Sequence, residues 1–194
     1  MKEADVLLER HPDVRIIHLI RDPRGTMLSR AHFTDKETGE MHKNYTSVCR
    51  RLLDDIQTSK AIAQKHAGRI LTVRYEDLAQ FPVAVTQKLY SFSELKYTPE
   101  VEKYVKKITS KEQLNDEGKP SRKSTSRKDP YRTAYNWRKE MSFQLIKKID
   151  RACEGVYEAM GYRTFSDEDE LRDMTVSAKI DDFRDHRILL RLLS

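Results

Sequence analysis

The spacing of apolar positions changes period several times along this chain. Val14, Ile16, Ile17, Leu19 and Ile20 form a nearly unbroken, β-branched run that stops at Arg21-Asp22-Pro23-Arg24-Gly25. A short apolar run closed by charged and turn residues predicts a buried strand, and apolar residues on both faces suit a parallel sheet covered on both sides. The stretch after it is helix-compatible, with two starts open. Asp22 caps the helix with Pro23 in the first position, or Thr26 caps it and puts Ser29 in the first turn beside the strand end. Only the second start lets the Ser29 hydroxyl and the Arg21 side chain share one anion easily.

Thr34 to Lys43 is polar and aperiodic, a loop. From Tyr45 to about His66 the spacing is helical, with Val48, Leu52, Ile56 and Ile62 on one stripe and Gly68 as a terminator beyond. Ile70 to Tyr75 predicts a second strand. Strand, helices and strand in that order make a βαβ unit with parallel pairing and a right-handed crossover. Pro82 opens a helix to about Phe92. Thr98 caps another at Pro99, with Val101, Tyr104, Val105 and Ile108 as its stripe. Ser142 caps a strongly amphipathic helix running to about Met160, where Gly161 stops it. Two stretches lack a pattern. Residues 110–132 place Lys119, Arg122, Lys123, Arg127, Lys128 and Arg132 among Ser, Thr, Pro and Gly, which reads as a flexible basic loop. Residues 164–194 read as a polar tail, disordered or helical. One α/β domain over residues 1–163, with the basic loop inside it, is the expected organisation.

Charge narrows the partners. The chain has 194 residues and a net charge of +6, which favours a phosphorylated or sulfated ligand or a polyanion. Nucleic acid is not expected, because zinc-finger spacing, RRM aromatics and a long basic helix are all absent. No apolar run is long enough to span a membrane, and no signal-peptide core is present. The two cysteines, Cys49 and Cys153, lie far apart without a CxxC, so no cysteine-rich metal site is expected. One long-range disulfide and two buried thiols are both open. Asn44-Tyr45-Thr46 is a glycosylation sequon, meaningful only in a secretory lumen.

Ligands of open α/β sheets bind beyond the carboxyl ends of the strands, and here that end carries Arg21 and Arg24. A guanidinium fork suits phosphate or sulfate oxygens, although a solvated surface loop would have the same composition. Tyr75 closes the second strand, where it either packs on a nucleotide base or lies half-buried at the sheet edge. Arg74 with Glu76-Asp77 is either catalytic or an ordinary acidic helix start. His32 and His42 are the candidate bases nearest the first loop. Ser-His-Asp order, HExxH, DFG and Walker-A patterns are absent.

Three segments in order carry a family resemblance. Arg21-Asp22-Pro23-Arg24 with Ser29 eight residues after Arg21 resembles the 3′-phosphate motif of sulfotransferases that use 3′-phosphoadenosine-5′-phosphosulfate (PAPS). Arg74-Tyr75-Glu76-Asp77-Leu78-Ala79 resembles the next family segment. Ser124-Thr125-Ser126-Arg127, Ala134, Trp137-Arg138, Met141-Ser142, Cys153 and Gly161-Tyr162 resemble the carboxyl-terminal signature of the carbohydrate branch. The group most similar is the galactose/N-acetylglucosamine/N-acetylgalactosamine 6-O-sulfotransferases.

The resemblance implies a P-loop-NTPase-like α/β fold with a parallel sheet flanked by helices. It implies sulfuryl transfer from PAPS, without a metal, to the 6-hydroxyl of N-acetylglucosamine or galactose in Golgi glycans. It assigns Arg21 and Ser29 to the cofactor's 3′-phosphate, Tyr75 to the adenine side and Arg127 to a loop closing over the nucleotide. Trp137 is expected to pack structurally, and a lumenal Cys49–Cys153 disulfide is favoured. The family's 5′-phosphosulfate loop, a strand followed by a Gly/Ser-rich turn, is not found before Val14. The chain therefore reads as the carboxyl-terminal part of a sulfotransferase domain, amino-terminally truncated, lacking the family's anchor and inactive or incomplete as an enzyme. The competing expectation is a non-catalytic module that binds polyanions or sulfated glycans through the basic loop.

Overall fold

The computed structural model describes residues 1–31, 45–109 and 129–181. They fall into two compact units, Met1–Arg74 with Trp137–Ser194, and Tyr75–Asn136.

The first unit contains α1 (Lys2–Arg10), β1 (Ile16–Ile20), α2 (Pro23–Ala31), α3 (Tyr45–Lys65) and β2 (Ile70–Arg74). The two strands pair in parallel from Ile16 opposite Ile70 to Ile20 opposite Arg74, so both end at the same level. The α/β class and parallel pairing follow the expectation. Coverage on both faces does not. Ile20 is buried, but Ile17 and Leu19, on the opposite face, are 43% and 52% exposed. Alternation at period two sends Ile16, His18 and Ile20 to one side and Ile17 and Leu19 to the other, and among the described residues only the first side of β1 is covered.

In the second sequence unit, α4 (Tyr75–Gln80) follows β2 without a loop, then come α5 (Pro82–Phe92), α6 (Pro99–Thr109) and α7 (Pro130–Tyr135). α4 packs on α5 and α7, and α5 packs on α6. Tyr90 and Tyr97 meet edge to face with centroids 5.4 Å apart. Two sequence expectations need correction. Tyr104 is exposed while Val105 is buried, so the α6 stripe is narrower than its spacing suggests. The end of the expected basic loop is helical from Pro130, because the Asp129 carboxylate accepts the Arg132 N–H at 2.8 Å and caps α7.

The first unit is completed by α8 (Trp137–Glu140), α9 (Phe143–Ala152), α10 (Glu154–Met160) and α11 (Glu168–Arg172). The sequence predicts one helix over Ser142–Met160, and the structure breaks it at Cys153. That residue has φ −106° and ψ 12°, ends α9 and starts α10. It is disulfide-bonded to Cys49 of α3, with the Cα atoms 5.0 Å apart. Gly155 lets α10 lie against α3, since a Cβ there would be 2.9 Å from Leu53 Cδ2.

Gly161 ends α10 in the left-handed region at φ +68°, and a Cβ would meet Asp181 Oδ1 at 2.9 Å. Gly161→Ala is expected to cost about 1–2 kcal/mol, combining backbone strain with displacement of Asp181. A lowered urea midpoint with unchanged slope checks this.

The region read as a tail from residue 164 has structure in its first part. Asp167 caps α11 through the Glu170 N–H at 2.8 Å. Buried Arg138 donates to the carbonyls of Leu171 and Val176, both at 2.8 Å, and of Asp173 at 2.7 Å. One side chain thereby ties the end of α11 to the turn after it, and Leu171 and Ala178 are buried in the first unit. No helix among the described residues is long and apolar enough to cross a membrane.

Candidate functional site

The turn after β1 is built by its own residues. α2 begins at Pro23, whose missing N–H and fixed φ suit a first helical position. Asp22 precedes it and caps it. Its Oδ1 accepts the Arg24 N–H at 2.9 Å, and its carbonyl accepts the Thr26 N–H at 2.9 Å. Of the two starts open in the sequence, this is the first. The alternative, with Ser29 in the first turn, is not adopted. Ser29 instead lies seven residues past Asp22, two turns along the same helix face. Arg21 and Ser29 are both half-buried and both in the first unit.

Arg24 does something other than what its position at the strand end suggests. Its guanidinium is 0% exposed and faces protein on every side. Nε and Nη2 donate to the two Asp22 oxygens at 3.0 and 2.8 Å. Nη1 donates to Asp150 Oδ1 at 3.3 Å and to the Arg163 carbonyl at 3.0 Å. The planar group lies 4.0 Å from the Trp137 ring centroid and 4.6 Å from that of Tyr157, a cation–π arrangement. Tyr157 donates its hydroxyl to Asp150 Oδ1 at 3.0 Å. Of the two arginines at the end of β1, then, Arg24 is committed to the protein's own groups and is not available to an anion.

The cage sets the protonation of its members. Burial works against charge on Arg24, but Asp22, Tyr157 and Asp150 together outweigh it, and the guanidinium is held more firmly protonated than usual. Burial raises the Asp150 carboxyl above the usual carboxylate range, with Arg24 opposing. Tyr157 is pushed well above the ordinary phenol range, chiefly by burial, and stays a hydrogen-bond donor.

Tyr75 is half-buried as the first residue of α4, in the other unit from Arg21. Glu76 and Asp77 are buried in the first turn of α4, the acidic helix start that the sequence left open. Arg74 is buried and structural, donating to the Met160 carbonyl at 2.8 Å and to Asp181 Oδ1 at 2.7 Å. Trp137 is fully buried against Arg24 and Phe165. Arg127, Asn44, His32 and His42 lie outside the described residues. Asp150 and Tyr157 were not singled out in the sequence, and Asp22 only as a helix cap and as part of the Arg-Asp-Pro-Arg motif. Asp150 did leave a signal, because it falls on the otherwise apolar Ile146–Ile149–Cys153 stripe of α9, where only a satisfied carboxylate belongs.

Comparison with known proteins gives the family. Residues 4–165 match the family model described as "Sulfotransferase domain". Carbohydrate sulfotransferase 6 of Homo sapiens is 29% identical over 187 residues, covering 84% of this chain and 45% of the relative. Carbohydrate sulfotransferase 1 of Danio rerio is 27% identical over 179 residues, covering 85% and 42%. Carbohydrate sulfotransferase 3 of Mus musculus is 25% identical over 180 residues, covering 85% and 37%. The chain thus spans less than half the length of these curated relatives.

Proposed function

The chain belongs to the sulfotransferase domain family, and on that premise we propose that it carries the nucleotide 3′-phosphate grip of a carbohydrate sulfotransferase. The reaction is transfer of a sulfuryl group from PAPS to the 6-hydroxyl of N-acetylglucosamine or galactose in a glycan. The observation that carries the reading is the half-buried Arg21 at the carboxyl end of β1, with Ser29 on the following helix.

This donor set suits a phosphate. Arg21 offers a fixed fork of N–H donors, and Ser29 adds a hydroxyl roughly 10 Å along the α2 axis from Asp22. With α2 starting at Pro23, Ser29 stands two turns from the strand end rather than in the first turn, so its place beside Arg21 comes to the reading from the family motif. When bound, PAPS supplies the activated sulfuryl group. The chain's own residues position the nucleotide: Arg21 neutralises and orients the 3′-phosphate, and the Ser29 hydroxyl donates to one of its oxygens. Tyr75 on the adenine side and Arg127 in a closing loop come to the reading from the family motifs alone. No metal is part of it, since positioning and charge stabilisation carry group transfer of this kind. The Cys49–Cys153 disulfide suits an oxidising lumen, and the Golgi is the compartment proposed.

The 194-residue chain is expected to bind adenosine 3′,5′-bisphosphate saturably and weakly in calorimetry. Arg21→Ala should weaken binding about 10–100-fold, the loss of charge-assisted hydrogen bonds to the phosphate. Steeply salt-dependent heparin affinity, indifferent to both nucleotide and Arg21→Ala, would favour the polyanion-binding module instead.

A further inference from the structure

Arg24 is more elaborately held than a helix start requires. Asp22 already caps α2 through the Arg24 N–H, and Pro23 already presets the first turn. Burying a guanidinium between two carboxylates adds desolvation cost, and such networks are weak evidence of stability in themselves. Asp150 Oδ2 is buried without a hydrogen-bond partner among the described residues, a further cost. What the cage supplies is direction. The Arg24 fork takes both Asp22 oxygens, so the Asp22 side chain cannot rotate about its bond to Cα without breaking two charge-assisted hydrogen bonds. The other side of the fork is tied to Asp150 and to the Arg163 carbonyl, more than a hundred residues away in sequence. Trp137 and Tyr157 close the faces of its plane. Arg21 is the residue before Asp22, so this anchor lies one peptide unit from it.

We propose that Arg24, caged by Asp22, Asp150, Trp137 and Tyr157, is a positioning residue. It fixes the turn after β1 to α9 and α10, so that Arg21 is preorganised to take the nucleotide 3′-phosphate. This rests on the reading of Arg21 as the 3′-phosphate ligand. Preorganised donors lose little freedom on binding, and a loose turn gives that advantage up. Lysine cannot replace arginine here, because a point charge does not reproduce the fork.

The test compares two probes on the full chain by calorimetry: adenosine 3′,5′-bisphosphate and adenosine 5′-monophosphate, which lacks the 3′-phosphate. Wild type should prefer the bisphosphate at least about tenfold. Arg24→Lys and Asp150→Asn should each shrink that preference toward the value for Arg21→Ala, leaving affinity for the monophosphate within about twofold. General loosening of the fold would weaken both probes together. If Arg21→Ala leaves the preference intact, the 3′-phosphate reading itself fails. If Arg21→Ala abolishes the preference while Arg24→Lys and Asp150→Asn keep it, the reading stands and the positioning role is overturned. Should Arg24→Lys not fold, Asp150→Asn decides the matter. If neither folds, the cage is a folding element and the proposal is wrong.

Discussion

Arg24→Ala is expected to destabilise the first unit by about 3–5 kcal/mol, the range for breaking a buried ion pair by removing one partner. The variant would leave Asp22 and Asp150 facing one another inside the protein, 0% and 5% exposed, without the cation that lies between them. It would also open space beside Trp137, which loses the guanidinium from its face. Trp137 is the only tryptophan in the chain and is fully buried, so its fluorescence in urea reports the cage directly. Pairing Arg24→Ala with Asp150→Asn should recover part of the loss, because one of the stranded charges is then gone. The two substitutions share a contact and will not be additive. A loss below about 1 kcal/mol for Arg24→Ala would mean that the cage contributes little to holding the unit together.

Removing the disulfide is the second large effect. Cys49 and Cys153 close a loop of 104 residues by sequence separation. In the chain-entropy model, a loop of that size restricts the unfolded state by an amount worth about 4–5 kcal/mol, with about 2–5 kcal/mol usual on removal of a native disulfide. Both cysteines are 1% exposed, so alanine is a cleaner replacement than serine, whose hydroxyl would be buried beside apolar groups. The double variant Cys49→Ala with Cys153→Ala should be less stable by that amount in urea unfolding, with a lowered midpoint, as should reduced wild type. The effect reaches beyond stability. Cys153 sits at the break between α9, which supplies Asp150, and α10, which supplies Tyr157. Reduction should therefore perturb Trp137 fluorescence before global unfolding. Equal midpoints for oxidised and reduced protein would contradict the assignment.

The framework of the first unit was legible in the sequence because its signals are local. An apolar run ending in Arg-Asp-Pro, a Gly-stopped amphipathic helix and Pro at a first helical position each depend on a few neighbouring residues. The side chains that make long-range contacts were harder to read. Arg24 looks like a surface anion ligand until Asp150 and Arg163 come to it from across the fold. Arg138 looks like half of a motif until it collects the carbonyls of residues beyond 170. Burial of an arginine depends on partners that no local period encodes, and the same holds for the break at Cys153, imposed by a bridge to α3 inside an uninterrupted helical pattern. β1 misled in the other direction. Its two-sided apolar pattern predicts two covers, whereas Ile17 and Leu19 remain exposed among the described residues.

In the proposed function, Arg21 grips the 3′-phosphate of an adenine nucleotide. Phosphorus-31 NMR of adenosine 3′,5′-bisphosphate resolves the two phosphates, so it tests which of them the protein holds. On adding wild-type chain, the 3′ resonance should shift, and its titration near pH 6 should move to lower pH, as expected for a phosphate beside a guanidinium. With Arg21→Ala, the 3′ resonance should stay at its free position at the same protein concentration. Movement of the 5′ resonance alone, or an unchanged 3′ shift in Arg21→Ala, would contradict the account.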